Sequence, residues 1–206
     1  MAVVFENSRT KENLMKAFAG ESQARNRYTI AAEKAVEQHL YAISRIFLFT
    51  AEQERAHGQR FYELLKPAEG ETIQITGTFP VDTYDSVTDL LRTAEHNETA
   101  EYETVYRTFG DQAKEEGFLE EAAAFYQIAD IERIHARRFQ TIRKLLESNL
   151  FYEQIQEGVW MCLNCGHIHR GMKAPQVCPV CRHEQGYFIP LNLAPYTDAA
   201  MGTIQA

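Results

Sequence analysis

From about residue 8 to residue 148, apolar side chains recur at i, i+3, i+4 and i+7, the spacing that lays one continuous stripe along a helix. Four long helices are expected. The first follows Ser8 or Thr10 as cap and runs to about residue 37. After a turn near Gln38 and His39, the second runs to about residue 65 and stops at Lys66-Pro67, where proline disfavours further helix. The third spans residues 85–116, with Gly110 as a local break and Gly117 as its end, and the fourth spans residues 118–148. Residues 67–83 contain Gly, Thr and Pro and lack helical period. A connection this long in a compact unit needs a reason, and a four-helix bundle with one long crossover supplies it.

Beyond residue 148 the pattern changes. Residues 149–157 read as a linker, residues 158–191 are dense in Gly, Pro, Cys and His, and residues 192–206 carry no strong pattern. A unit as small as 158–191 cannot be stabilised by apolar burial alone, so a bound metal is expected to staple it. The 206 residues, 45% of them hydrophobic, suffice for one sizeable core plus such a unit. A formal charge of −8 offers no broad basic surface, which argues against nucleic acid and anionic membrane as partners and for small-molecule chemistry. The N-terminal segment has neither a basic nor an apolar leader region, and no apolar run approaches the length of a membrane span, so a cytoplasmic location is expected.

The helical stripes carry unexpected residues. Ile43, Ile46, Phe47, Thr50, Glu54, His57, Phe61 and Leu64 share one face of the second helix; Phe125, Ala129, Glu132, His135, Phe139, Ile142 and Leu146 share one face of the fourth. On the first helix Leu14 and Phe18 lead to Glu21 and Tyr28. On the third, Leu91 and Ala94 lead to Glu95, Glu98, Tyr102, Val105 and Phe109. The segment from Ala51 to His57 also matches that from Ala129 to His135 at an offset of 78, and Glu21 shifted by 78 falls one residue from Glu98, so two related hairpins are expected to face each other. Five inward carboxylates, Glu21, Glu54, Glu95, Glu98 and Glu132, cannot all stay ionised in a core without positive charge beside them. A pair of metal ions would supply it, and oxygen ligands with one or two imidazoles suit iron or manganese. The competing reading pairs some of these carboxylates with Arg25, Arg55 and Arg133; Glu115-Glu116 and Glu120-Glu121 read as solvated faces.

All four cysteines lie in two Cys-x-x-Cys pairs, Cys162/Cys165 and Cys178/Cys181, a spacing that favours one tetrahedral tetrathiolate site over disulfides in a reducing compartment. Ligand type alone fits zinc and iron equally. Gly166 can adopt the positive φ that such a loop needs, and with four sulfurs filling the site, His167, His169 and His183 read as surface residues.

Together, Gly20-Glu-Ser-Gln-Ala-Arg-Asn-Arg-Tyr28, Gln53-Glu-Arg-Ala-His57, Glu95-His-Asn-Glu98, Glu132-Arg-Ile-His135 and the Trp160-Met-Cys-Leu-Asn-Cys-Gly166 segment resemble the rubrerythrins over nearly the whole chain to about Leu191. The resemblance implies a mainly α architecture: a ferritin-like four-helix bundle holding two non-haem iron ions, followed by a small rubredoxin-like domain with an Fe(SCys)4 centre. It implies reduction of hydrogen peroxide to water in oxidative-stress defence, a ferroxidase or iron-handling role being the alternative, and a zinc-ribbon interaction protein a further, non-enzymatic one. It also implies a homodimer and an external electron donor of the rubredoxin or NAD(P)H-dependent reductase type. Carried over by motif, Glu21, Glu54, Glu95, Glu98, Glu132 and His135 would bind the oxidised iron pair, and His57 would replace Glu98 on one iron after reduction, making Glu98 and His57 the catalytic switch.

Overall fold

In the computed structural model, which describes residues 3–195, each expected helix begins or ends where local chemistry satisfies its free backbone groups. Helix α1 (Arg9–Glu37) starts at Ser8, whose hydroxyl accepts from the Lys11 N–H at 3.0 Å. Its first turn is also closed by a distant residue. The Glu116 carboxylate accepts from the Arg9 and Thr10 N–H groups at 3.0 and 2.9 Å and from the Thr10 hydroxyl at 2.6 Å. Glu116 is therefore an anionic cap on another helix and not merely a solvated charge. Helix α2 (Tyr41–Leu64) leads into the crossover, and α3 (Val87–Ala100) starts at Ser86, whose hydroxyl accepts from the Asp89 N–H. Helix α4 (Tyr106–Glu116) ends at Gly117 with φ of 93°, and α5 (Leu119–Glu147) completes the bundle.

The expected third helix is thus two helices, and the interruption is not at Gly110. A π turn over Glu101–Val105 separates α3 from α4. Such a turn inserts one extra residue and advances the inward stripe by one position. Beyond it, Tyr106, Gly110 and Ala113 are buried, whereas Tyr102 is only partly buried, between the guanidinium groups of Arg107 and Arg133. The turn also explains the imperfect repeat. Tyr106 lies 78 positions after Tyr28, but Glu98 lies 77 after Glu21, and the inserted residue falls between Glu98 and Tyr106.

Two apolar clusters fill the bundle. One is built around Tyr28, Phe47, Leu91 and Phe139, the other around Leu14, Phe61, Tyr106 and Phe125. Each buried aromatic contributes roughly 1.5–3 kcal/mol of transfer free energy. Glu21, Glu54, Glu98 and Glu132 lie in sequence between residues of one cluster and residues of the other, so all four carboxylates interrupt the core at one level.

The C-terminal unit is a three-stranded antiparallel sheet in the order β2-β1-β3, formed by β1 (Glu153–Cys162), β2 (Ile168–Lys173) and β3 (Phe188–Pro190). Trp160 pairs with His169 on one side and Pro190 on the other, is fully buried, and donates its indole N–H to the Phe151 carbonyl at 2.9 Å. The expected linker is accordingly ordered: residues 153–157 belong to β1, and Phe151 sits in the bundle's own core beside Ile189. The unit rests on the bundle through a Tyr41–Tyr187 stack at 4.3 Å, a His39–Glu184 contact at 2.9 Å, and an Arg45 hydrogen bond to the Leu163 carbonyl. The main chain of Gly186 passes directly over the His39 carbonyl, where a Cβ would lie 1.7 Å from the oxygen. Of the expected C-terminal tail, residues 192–195 continue from this sheet, with a 3-10 turn over Leu191–Leu193; residues 196–206 lie outside the described residues. No helix of the described residues is long and apolar enough to cross a membrane.

Candidate metal centres

In the bundle, donor atoms converge into two groups: Glu21, Glu54, His57 and Glu132, and Glu54, Glu98, Glu132 and His135. Glu54 and Glu132 belong to both. Each group combines one residue of α1 or α3 with the paired Glu-x-x-His motifs of α2 and α5, as the internal repeat requires. The imidazole rings of His57 and His135 lie 5.5 Å apart and nearly parallel, at 18°. His57 Nδ1 is 2.9 Å from Glu132 Oε1, 3.2 Å from Glu54 Oε2 and 3.8 Å from Glu21 Oε2. His135 Nδ1 is 2.8 Å from Glu132 Oε2, 2.9 Å from Glu54 Oε1 and 3.5 Å from Glu98 Oε2.

These atoms test whether metal ions fit. Glu21 Oε2, Glu54 Oε1, Glu98 Oε2, both Glu132 oxygens and His135 Nδ1 are buried without a properly directed hydrogen bond. Orphaned polar atoms at this density are prohibitive in a core unless something else satisfies them. Around an ion with bonds of about 2.1 Å, adjacent ligand atoms are about 3 Å apart, a spacing met by the histidine contacts with Glu54 and Glu132 at 2.8–3.2 Å, with Glu98 and Glu21 at 3.5 and 3.8 Å. Two divalent ions would also balance the charge of the four carboxylates, Glu21, Glu54, Glu98 and Glu132. The arginine alternative does not fit. Arg25 and Arg55 pair with exposed Glu52, and Arg133 lies over Tyr102.

The electrostatics follow from burial. Desolvation, then Glu132 and Glu54, raises the Glu21 carboxyl well above its ordinary range, and desolvation with the Glu54 and Glu132 charges does the same to Glu98. Burial opposes charge on Glu54 too, but the close imidazoles of His135 and His57 outweigh it and hold that carboxyl far below its ordinary value. Desolvation would lower both imidazoles; contacts with Glu132 and Glu54 prevail and push His57 to about 9 and His135 to about 12.

Two tyrosines brace the carboxylates crosswise. Tyr28 of α1 donates to Glu98 Oε1 of α3, and Tyr106 of α4 donates to Glu21 Oε1 of α1. Tyr106 was not legible in the sequence, because a regular helix would have turned Tyr102 inward instead. On the far side of His135, Nε2 lies 3.1 Å from Gln53 Oε1, which also accepts from Arg138 at 2.9 Å. That contact fixes the ring so that Nδ1 faces the cluster.

Glu95, expected among the ligands, is placed elsewhere. It lies in neither group: Arg143 Nε and Gln140 Nε2 bind its carboxylate at 2.8 and 2.6 Å on the bundle's flank. Leu91, Ala94 and Glu98 define the inward line of α3, and position 95 is turned to its side. The residue missed is Glu101, at the start of the π turn. It lies outside both groups of converging atoms, yet desolvation and the charges of Glu132 and Glu54 raise its carboxyl to about 8, so it stands close to the cluster. Glu98 and His57, expected to form one switch, fall in different groups of converging atoms.

The four cysteines converge as expected. Cys162 Sγ and Cys181 Sγ lie 3.7 Å apart, as do Cys165 Sγ and Cys178 Sγ. A tetrahedral ion with bonds of about 2.3 Å demands about 3.8 Å, whereas a disulfide needs about 2.05 Å. The two loops have the same geometry: Gly166 and Arg182, each following a Cys-x-x-Cys pair, have φ of 79° and 64°. Hydrogen bonds run from Gly166 N to Cys162 O at 2.8 Å and from Arg182 N to Cys178 O at 3.0 Å. Burial pushes the Cys162 thiol up to about 12, while the His183 N–H holds Cys181 down at about 5. His167, His169 and His183 are not among the converging ligands.

The chain matches the Rubrerythrin family over residues 12–143 and the "Rubrerythrin, rubredoxin-like domain" family over residues 160–189. It is 41% identical over 187 residues to a rubrerythrin of Porphyromonas gingivalis, covering 91% of this chain and 92% of that one. It is 42% identical over 185 residues to rubrerythrin-1 of Clostridium acetobutylicum, covering 89% and 94%. Among solved structures, fully reduced, all-ferrous nigerythrin superposes with a TM-score of 0.60 at 28% identity, covering 91% of each chain. With a mainly helical bundle that carries a carboxylate–histidine cluster and a small sheet that carries four convergent thiols, this chain belongs to the rubrerythrin family.

Proposed function

We propose that this protein reduces hydrogen peroxide to water, using two irons in the carboxylate–histidine cluster and one iron in the tetrathiolate site. The observation that carries the reading is the doubled ligand group: Glu54 and Glu132 shared, Glu21 and His57 on one side, Glu98 and His135 on the other. When bound, the irons supply the two electrons that, with two protons, convert one peroxide to two waters, and the tetrathiolate iron returns electrons one at a time.

The protein's part is to hold charge and protons in place. Tyr28 and Tyr106 keep Glu98 and Glu21 oriented by donating to them, and Gln53 orients His135. We assign the exchange with His57 to Glu101 and not Glu98, because Glu101 bears electrostatically on Glu21 in the His57 group and is not itself among the converging ligands. Exchanging a neutral imidazole for a carboxylate adds one negative charge, which favours the more oxidised state; the reverse favours the reduced state.

The surroundings support the remaining parts of the reading. Phe49 and Ile134 are exposed along a groove of about 880 Å³ that runs between α2, α5 and the tetrathiolate unit, and a second copy of the chain is proposed to cover it. An external donor of the rubredoxin or NAD(P)H-dependent reductase type and a cytoplasmic setting complete the proposal.

The test is anaerobic reconstitution with iron, followed by peroxide titration monitored by visible absorption. Rapid oxidation by peroxide, slow reaction with dioxygen and sustained turnover are expected. Glu101→Gln should lose roughly tenfold or more in turnover while keeping the tetrathiolate spectrum, and Glu95→Gln should resemble the parent. Iron mineralisation with negligible peroxide turnover would establish the ferroxidase alternative instead, and full activity of Glu101→Gln would remove the exchange from that residue.

A further inference from the structure

The crossover forms the outer wall of a pocket of about 300 Å³, whose inner wall includes Glu101 and Tyr106. Two polar atoms near this space are buried without a partner: Gln23 Oε1, an acceptor, and Arg27 Nε, a donor. The crossover is fastened across the pocket by a half-hidden clasp. Arg27 donates to Asp82 Oδ2 at 2.8 Å, with both side chains 13% exposed, and Asn97 donates to the same oxygen at 3.0 Å. One aspartate of the crossover is thereby tied to both α1 and α3, and Phe79, two residues past Gly77, lines the pocket from the same segment.

The remaining wall residue that stands out is Gly20. Glycine inside a helix costs about 1 kcal/mol relative to alanine, and at Gly20 neither a positive φ nor crowding accounts for it, since a Cβ there would meet nothing within 4 Å. Its effect is to leave the pocket wall bare, one residue before Glu21.

We propose that this pocket is the route by which hydrogen peroxide reaches the cluster, that Gln23 and Arg27 guide it, and that Phe79 with the Arg27–Asp82–Asn97 clasp limits the size of the hydroperoxide admitted. Hydrogen peroxide both donates and accepts hydrogen bonds, which complements one free acceptor and one free donor. The hydrocarbon body of an alkyl hydroperoxide offers them nothing and must pass the Phe79 ring. The proposal rests on the peroxidase reading for its substrate, but the route can be probed without turnover.

The probe is azide, whose association with the iron-loaded, oxidised cluster is followed by stopped-flow absorption. Gly20→Leu places a side chain in the open space, and it should slow azide association about tenfold and raise KM for hydrogen peroxide similarly, with kcat largely kept. Gly20→Ala, which adds only a methyl group to the wall, should slow azide association and raise KM by less than Gly20→Leu does. Phe79→Ala should raise kcat/KM for cumene hydroperoxide relative to hydrogen peroxide by about tenfold. An unchanged tetrathiolate spectrum and melting temperature establish that each variant is folded. A folded Gly20→Leu protein with parental azide association and KM places the route elsewhere and overturns the proposal. Slowed azide association in a protein that turns over no peroxide would uphold the route and strike the peroxidase reading alone.

Discussion

Gly186→Ala probes how the tetrathiolate unit is seated on the bundle. An added Cβ would lie 1.7 Å from the His39 carbonyl oxygen and 2.9 Å from its carbon. Both atoms are main chain, so no side chain can rotate away. Reaching even 3.0 Å from the oxygen requires the two segments to separate by 1.3 Å, the difference between 3.0 and 1.7. That movement opens the 4.3 Å Tyr41–Tyr187 stack, worth about 0.5–1.5 kcal/mol beyond its buried area. Overpacking adds about 1–3 kcal/mol, while the exposed His39–Glu184 pair adds little. The expected loss is about 2–4 kcal/mol. For a chain of this length that corresponds to a melting temperature lower by roughly 4–16 °C. Thermal unfolding followed by circular dichroism measures the shift, and amide exchange should show lost protection at Ile189 while α3 and α5 stay protected. A melting temperature within 1–2 °C of the parent (about the shift from 0.5 kcal/mol), together with unchanged exchange at Ile189, would refute the reasoning.

Three further outcomes follow from individual contacts. Burial disfavours the Glu116 charge, but the hydrogen bonds from Thr10 and Arg9 outweigh it and lower its carboxyl below the ordinary value. Its contribution is therefore present above the unfolded carboxylate range and lost as pH falls through the lowered value, so Glu116→Gln should be less stable by about 1 kcal/mol at pH 7 and converge with the parent in acid, as measured by urea denaturation. Tyr106→Phe leaves Glu21 Oε1 without its donor and should cost about 1–2 kcal/mol in the same assay, whereas Tyr102→Phe, altering a partly exposed ring, should cost less than about 0.5 kcal/mol. Because His57 is raised to about 9 and His135 to about 12, ligand binding must displace protons below those values, so the apparent affinity of the bundle for cobalt(II) should rise as pH increases from 6 to 8; a flat titration by calorimetry would contradict the assignment.

The local and periodic features of this chain could be read directly. Apolar spacing gave the four-helix stripe because a helix repeats every 3.6 residues, and the duplicated Glu-x-x-His segments announced a paired site because identical spacing on two helices produces identical geometry. The cysteine pairs announced a tetrathiolate for the same reason: each pair is a local loop, closed by bonds such as Gly166 N to Cys162 O. What tertiary structure alone decided was phase and distance. The π turn at Glu101–Val105 adds one residue to a stripe that otherwise reads as continuous, and that shift brings Tyr106 to Glu21 in place of Tyr102. Glu95 and Glu98 are both compatible with an inward face by spacing; only the packing of α3 against α5 gives Glu95 to Arg143 and Glu98 to the cluster. Glu116, which resembles any surface acid in sequence, caps a helix more than a hundred positions away. The same holds for the Arg27–Asp82–Asn97 clasp and for Gly186 over His39, since contacts between distant segments leave no periodic trace in the sequence.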